Sequence, residues 1–231
     1  MITTKAEIRL EKEISNTLFL LSVTLQRYKP WIPGMFMQIS LKERNASETW
    51  LDGHSFSFAS WGTEKAIILV RKEGDFTREL VRRSIGGFIT AVRYPFGDFF
   101  LNSDKNKVFL AGGAGISVFL SYLDFINSTR THFEDVFLFH ATKRKSESIE
   151  NIYCNIIPNF VLVRSFITGV GESGYTGRFT IEDLIGAISD LKDKEYFICG
   201  PPKFNSYWKN ELRSLEIFPT IEQWENSGDA N

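Results

Sequence analysis

The chain has 231 residues, with 27 Lys+Arg against 28 Asp+Glu, three His and two Cys. A formal net charge of −1 and a 43% apolar share mark an ordinary globular composition and exclude a reader of phosphate backbones. Two cysteines, Cys154 and Cys199, cannot build a four-cysteine zinc or iron–sulfur site or a disulfide framework, so no metal is expected and the setting reads as cytoplasmic.

The first hundred residues read as short strands: 7–13, 17–25, 35–41, 66–71 and 89–92. Breaks at Pro30, Pro33-Gly34, Asp52-Gly53, Gly62, Gly74, Gly86-Gly87 and Gly97 separate them, which predicts an antiparallel barrel. One helix interrupts at 77–84, with Thr77 as its N-cap. The polar stretch Asn102 to Lys107 predicts a boundary, giving a barrel over 1–102 and a second domain over 103–231. Beyond it, strands at 108–110, 136–140, 160–165 and 195–199 alternate with helices at 117–126, 146–153, 180–191 and 201–215. That rhythm predicts a parallel sheet covered on both faces. The uncharged run Val108–Leu123 is shorter than the ~20 residues of a membrane span and carries Gly112, Gly113 and Gly115. The 21 Phe residues are expected mostly in the core.

Four short constellations could carry chemistry. Leu110-Ala-Gly-Gly-Ala-Gly-Ile-Ser117 joins a strand to a helix, where bare backbone and a helix N-terminus suit a phosphate. A tight turn with no ligand is an equal reading by position alone. Cys199-Gly200-Pro201-Pro202 ends a later strand; the plain alternative is a buried structural Cys. His54-Ser-Phe-Ser-Phe-Ala-Ser60 offers a ring and hydroxyls, or an edge strand with Phe inside and Ser outside. Gly74-Asp-Phe-Thr77 heads the barrel helix, either as a second phosphate site or as a simple cap.

Their order resembles the ferredoxin-reductase-like flavoprotein superfamily over nearly the whole chain. Pro33-Gly34-Met-Phe36 looks like the P-G-x-[FY] of the flavin barrel. His54-Ser-Phe-Ser57 looks like R-x-[YF]-[ST], in the His form H-P-F-[ST] of ferric reductases and NADPH oxidases. Gly74-Asp-Phe-Thr77 resembles their G-D-[WF]-T, and Arg93-Tyr-Pro-Phe-Gly97 the [GP]-P-[YF]-G near the barrel's end. The glycine loop resembles A-G-G-x-G-I-[TS], and Glu195-Tyr-Phe-Ile-Cys-Gly-Pro-Pro202 the Y-x-C-G-P-P of the nicotinamide domain.

The resemblance implies a Greek-key FAD barrel followed by an NAD(P) domain, with hydride passing from NADPH or NADH to FAD. Phe56 would lie on the flavin and Ser57 would hydrogen-bond near its N5, while His54 and Ser55 would sit toward its phosphates. Gly74, Phe76 and Thr77 would meet a pyrophosphate, which favours FAD over FMN. Gly112, Gly113, Gly115 and Ser117 would line the nicotinamide dinucleotide. Cys199, Gly200 and Pro201 would border its nicotinamide ring. Thr142, Lys143 and Arg144 would lie where a 2′-phosphate could rest, with a solvated basic turn as the other reading. Trp224 would cover the flavin. The absence of an iron–sulfur pattern implies a separate acceptor, a ferredoxin-like protein or a small molecule. The alternatives are a ferric or flavin reductase, a subunit of a larger hydrogenase or dehydrogenase complex, and a non-catalytic nucleotide-binding module.

Overall fold

The structure is a computed structural model, describing all residues except 43, 45–49, 100, 102–104, 130–134, 154–156 and 223–231. The proposed boundary at residue 102 and the residues Trp224 and Cys154 lie outside the described residues.

Six strands form an antiparallel sheet: β1 Ile2–Ser15, β2 Leu18–Leu25, β3 Phe36–Ile39, β4 His54–Ser57, β5 Lys65–Arg71 and β6 Phe88–Phe96. Their order is β4-β3-β6-β1-β2-β5, and a bridge between Phe58 and Ile68 draws the two edges together into a nearly closed barrel. Helix α1, Asp75–Ser84, follows β5.

Five parallel strands form the second sheet: β7 Lys107–Gly112, β8 Val136–Thr142, β9 Val161–Ile167, β10 Glu195–Cys199 and β11 Thr220–Glu222. Helices α2 Ser117–Thr129, α3 Ile149–Ile152, α4 Ile181–Ile185 and α5 Pro202–Ser214 connect them. The order β11-β10-β7-β8-β9 reverses direction between β7 and β10.

Strand β2 reads as an almost unbroken apolar run because it serves two cores. Phe19, Leu21 and Val23 point into the barrel. Leu18 and Leu20 point the other way, into a cluster with Phe109, Ile116 and Phe119 of the parallel sheet and its loop. Strand β5 divides likewise, with Ile68 and Val70 inside the barrel and Leu69 against the second sheet. Apolar burial therefore welds the two sheets together along β2 and β5. The Phe excess fills these cores: Phe109, Phe119 and Phe197 stack or meet edge-on within 5.8 Å, and Phe179 stacks on Phe139 beside Trp208.

Several expected elements shift. Helix α1 begins two residues before Thr77, with Gly74 as its N-cap. Thr77 sits at the third helical position, where its hydroxyl accepts the Gly74 amide at 3.1 Å and donates to the Gly74 carbonyl at 3.0 Å. The helix expected at 146–153 is a 3-10 turn followed by the four residues of α3. The one expected at 180–191 stops at Ile185, because Gly186 follows and Asp190 turns left-handed at φ 52°. Strand β6 runs on to Phe96, through Pro95. Strand β11 was not expected at all.

Candidate functional site

Open parallel sheets receive ligands at the carboxyl edge, where strand order reverses. Here that point lies between β7 and β10, and each strand ends in one of the two glycine motifs. Cys199 of β10 pairs with Ala111 of β7, so Gly112 and Gly200 leave the sheet side by side. A side chain on Gly200 would come within 3.0 Å of the Gly112 Cα, and one on Gly115 would reach 2.2 Å from the Cys199 carbonyl oxygen. The two turns are therefore in backbone contact, which only glycine permits. Gly113 adopts φ 55°, and its carbonyl accepts the Nε2–H of His140 at 3.0 Å. His140 lies wholly buried in β8, and burial pushes its ring down to about 4, so it is neutral at pH 7. Ser117 is 1% exposed, and its hydroxyl has no hydrogen-bond partner among the described residues. Cys199 is buried. Pro201 is the N-cap of α5, exposed beside it.

On the barrel side, β4 forms one edge of the sheet and carries His54 to Ser57. Ser55 is exposed and Phe56 joins the barrel core, as alternation demands. Ser57 departs from that pattern: it is 2% exposed and its hydroxyl is unpartnered among the described residues. The His54 ring stacks on Phe76 of α1 with centroids 3.7 Å apart and 12° between planes, and its Nδ1 is buried without a partner among the described residues. The start of α1 thus lies directly over the head of β4.

Two runs of contact lead from the barrel motifs toward the parallel sheet. Past Ser57, the Ser60 carbonyl accepts the Ser121 hydroxyl, and the Trp61 amide donates to Asp124 at 2.9 Å. Both partners sit on α2, which the glycine loop opens. On the other flank, Phe36 pairs with Ser57 across the strands and stacks on Phe96 at 5.5 Å. Gly97 lies against the Phe36 ring at φ 100° and leads into Asp98. The charge of Asp98 bears on Glu222 of β11, which stands in register with Cys199.

Glu222 gave no signal in the sequence, since it ends a three-residue strand. Burial, reinforced by the charge of Asp98, pushes its carboxyl up to about 7. The sign of its effect on stability follows. Between its ordinary 4.5 and about 7, the native carboxyl holds a proton that the unfolded chain has released. That contribution is present below 4.5 and is lost as pH rises through 7. His140 acts oppositely, because the native ring stays neutral where the unfolded ring is charged, so its contribution is lost as pH falls from 6.5 toward 4. Glu222→Gln is expected to make Tm fall less, or rise more, between pH 5 and 8 than it does in the wild type, because the opposing His140 contribution is left in place. An identical pH profile in both proteins would remove Glu222 from this role.

The expected 2′-phosphate cluster is placed differently from a free basic turn. Lys143 is exposed. Arg144 donates to Glu147 at 3.2 Å and to Thr17 at 3.1 Å, and the buried Thr142 hydroxyl donates to Glu147 at 3.3 Å. Sequence reasoning missed Glu147. Among the described residues no group of three or more His, Cys, Asp or Glu could hold a metal, and no helix is long and apolar enough to cross a membrane.

The geometry defines the class: a barrel packed on a parallel sheet, whose two glycine motifs meet at the point where strand order reverses. It is the fold of the ferredoxin-NADP reductase-like flavoproteins. No family model matches the chain. The chain is similar to a flavohemoprotein of Oceanobacillus iheyensis, 22% identical over 203 residues, covering 81% of this chain and 49% of that protein. It is 27% identical over 181 residues to methane monooxygenase component C of Methylosinus trichosporium, covering 73% and 52%. It therefore spans about half the length of these curated relatives. The fold superposes on a ferredoxin NADP+ reductase of Neisseria gonorrhoeae solved with FAD and NADP, with a TM-score of 0.75 at 16% identity, covering 95% of this chain and 98% of that one.

Proposed function

We propose that the chain is an NAD(P)H-dependent FAD oxidoreductase that passes electrons to an acceptor outside these 231 residues. The observation that carries this reading is a barrel bearing the flavin-type motifs, packed along β2 and β5 on a parallel sheet whose two nicotinamide-type turns touch at the point where strand order reverses. The division at residue 102 follows from it, with a flavin barrel before and a nicotinamide domain after.

The residues fit both groups. Ser57 and Ser117 each hold a buried hydroxyl that lacks a partner among the described residues, which is costly unless a ligand supplies one. When bound, FAD would take a hydride from the reduced nicotinamide and release electrons onward, chemistry that belongs to the cofactors. The protein's share is positioning. Ser57 would donate a hydrogen bond at flavin N5 and Phe56 would support the ring. His54, Ser55, Gly74, Phe76 and Thr77 would hold the pyrophosphate, the reason for favouring FAD over FMN. Gly112, Gly113, Gly115 and Ser117 would carry the dinucleotide. Cys199, Gly200 and Pro201 would wall the nicotinamide ring, with Trp224 covering the flavin. Thr142, Lys143 and Arg144 would border the adenosine ribose. Because Arg144 already serves Glu147 and Thr17, Lys143 is the better candidate for a 2′-phosphate. The acceptor would be a ferredoxin-like protein or a small molecule.

The test is the visible spectrum of the purified chain, followed by anaerobic titration with NADH and NADPH. An FAD spectrum that bleaches with at least one nucleotide is expected. A chain that takes up no flavin, or whose flavin neither nucleotide bleaches, overturns the reading.

A further inference from the structure

Arg71 ends β5 of the barrel, and Glu147 follows β8 of the parallel sheet. They meet across 76 positions of sequence in a two-pronged pair, Nη1 to Oε1 at 3.0 Å and Nη2 to Oε2 at 2.9 Å. The Glu147 side chain is wholly buried and the Arg71 side chain is 21% exposed. Ser15 of the barrel also donates to Oε1, at 2.6 Å. The carboxylate thus accepts hydrogen bonds from both sheets. Burial alone would raise Glu147, but the Arg71 and Ser15 hydrogen bonds, the Arg71 charge and the Arg144 hydrogen bond hold it down to about 2.

The pair also borders the candidate site. Arg71 Nη2 lies 3.7 Å from where a Cβ on Gly113 would stand. The Gly113 carbonyl accepts a hydrogen bond from His140. The glycine loop is thus bonded to a histidine of its own sheet and lies beside an arginine of the barrel. Besides single hydrogen bonds such as Ser121 to Ser60 and Trp61 to Asp124, the two parts meet through apolar burial along β2 and β5, which is non-directional and tolerates sliding. A planar guanidinium on a buried carboxylate does not, because both hydrogen bonds fail together when the planes shift.

We propose that Arg71 and Glu147 are a positioning pair that locks the glycine loop to the barrel and so sets the approach of a nicotinamide nucleotide to the flavin. The proposal rests on the functional reading above. A misplacement of about 1 Å can cost about 100-fold in rate, so even a partial slackening is measurable.

The test uses the full chain loaded with FAD, in two variants. Glu147→Gln keeps the shape and removes the charge. The double replacement Arg71→Met with Glu147→Leu substitutes apolar side chains for the pair, an exchange that often leaves folding intact. Both are expected to keep FAD, to lose about tenfold or more in the single-turnover rate of flavin reduction and to change nucleotide KM little. Amide hydrogen exchange at Gly113–Ile116 is expected to quicken, while exchange within β1 is unchanged. A wild-type reduction rate in either flavin-loaded variant overturns the proposal, because a merely structural pair would leave that rate alone once the chain had folded. If the wild-type flavin is itself not bleached, the functional reading fails, and exchange at the loop decides the pair alone. Unchanged protection there overturns it.

Discussion

Replacing Gly115 by alanine is expected to lower the rate of flavin reduction by about 100-fold or more, with FAD still bound to the barrel. The reason is space. A Cβ at Gly115 would lie 2.2 Å from the Cys199 carbonyl oxygen and 2.9 Å from the Gly200 amide nitrogen. Both are backbone atoms, so no side-chain rotation relieves the contact. Either the glycine loop or the end of β10 must move by roughly an ångström. Those are the two segments proposed to hold the dinucleotide and its nicotinamide ring, so the shift falls where reduction depends on placement. Overpacking of this kind also costs about 1–3 kcal/mol of stability. Gly86→Ala is the matched control, since nothing lies within 4 Å of a Cβ there. Flavin reduction by the nucleotide is the measurement, with the visible spectrum confirming that FAD is retained. A Gly115→Ala protein with wild-type rate and KM would show that the loop does not carry the nucleotide.

How much of this was legible in the sequence depends on the range of each interaction. The glycine loop was legible because strand, glycines and helix lie within ten residues, and local chain geometry dictates their order. The end of β10 was legible for the same reason. The barrel was legible in outline, but β2 showed no alternation, because it is buried on both faces by two different cores. Helix ends were the weakest reading. Thr77 has the chemistry of a cap, yet its hydroxyl works from the third helical position, reaching back to Gly74 and Glu73. The helix expected at 180–191 contains Gly186 and a left-handed Asp190, which end it early. What lay beyond reach was long-range pairing. Arg71 with Glu147, and Asp98 with Glu222, are set by how the two sheets dock. No local pattern marks Glu222 as the acid that stands in register with Cys199.

Ser57→Ala is expected to act with opposite signs on the bare and the loaded protein, which separates a ligand contact from a structural one. Ser57 is 2% exposed, and its hydroxyl has no partner among the described residues. An unsatisfied buried hydroxyl costs about 1–3 kcal/mol, so deleting it should leave the flavin-free chain as stable as before or raise its Tm. In the loaded protein the same hydroxyl is proposed to donate to flavin N5, the atom where charge and hydrogen bonding change as hydride arrives. A preorganised donor of this type is worth more as the reaction proceeds than before it. Its loss should slow reduction by about 10- to 100-fold with FAD still bound. Ser57→Thr keeps the hydroxyl and should recover most of the rate, provided the extra methyl fits beside Phe36, its cross-strand neighbour. Two measurements decide: Tm of the flavin-free chain, and single-turnover reduction of the loaded one. A hydroxyl with only a structural role would lower Tm on removal and leave the reduction rate alone. That pattern, with alanine and threonine variants reduced equally fast, would take Ser57 out of the site.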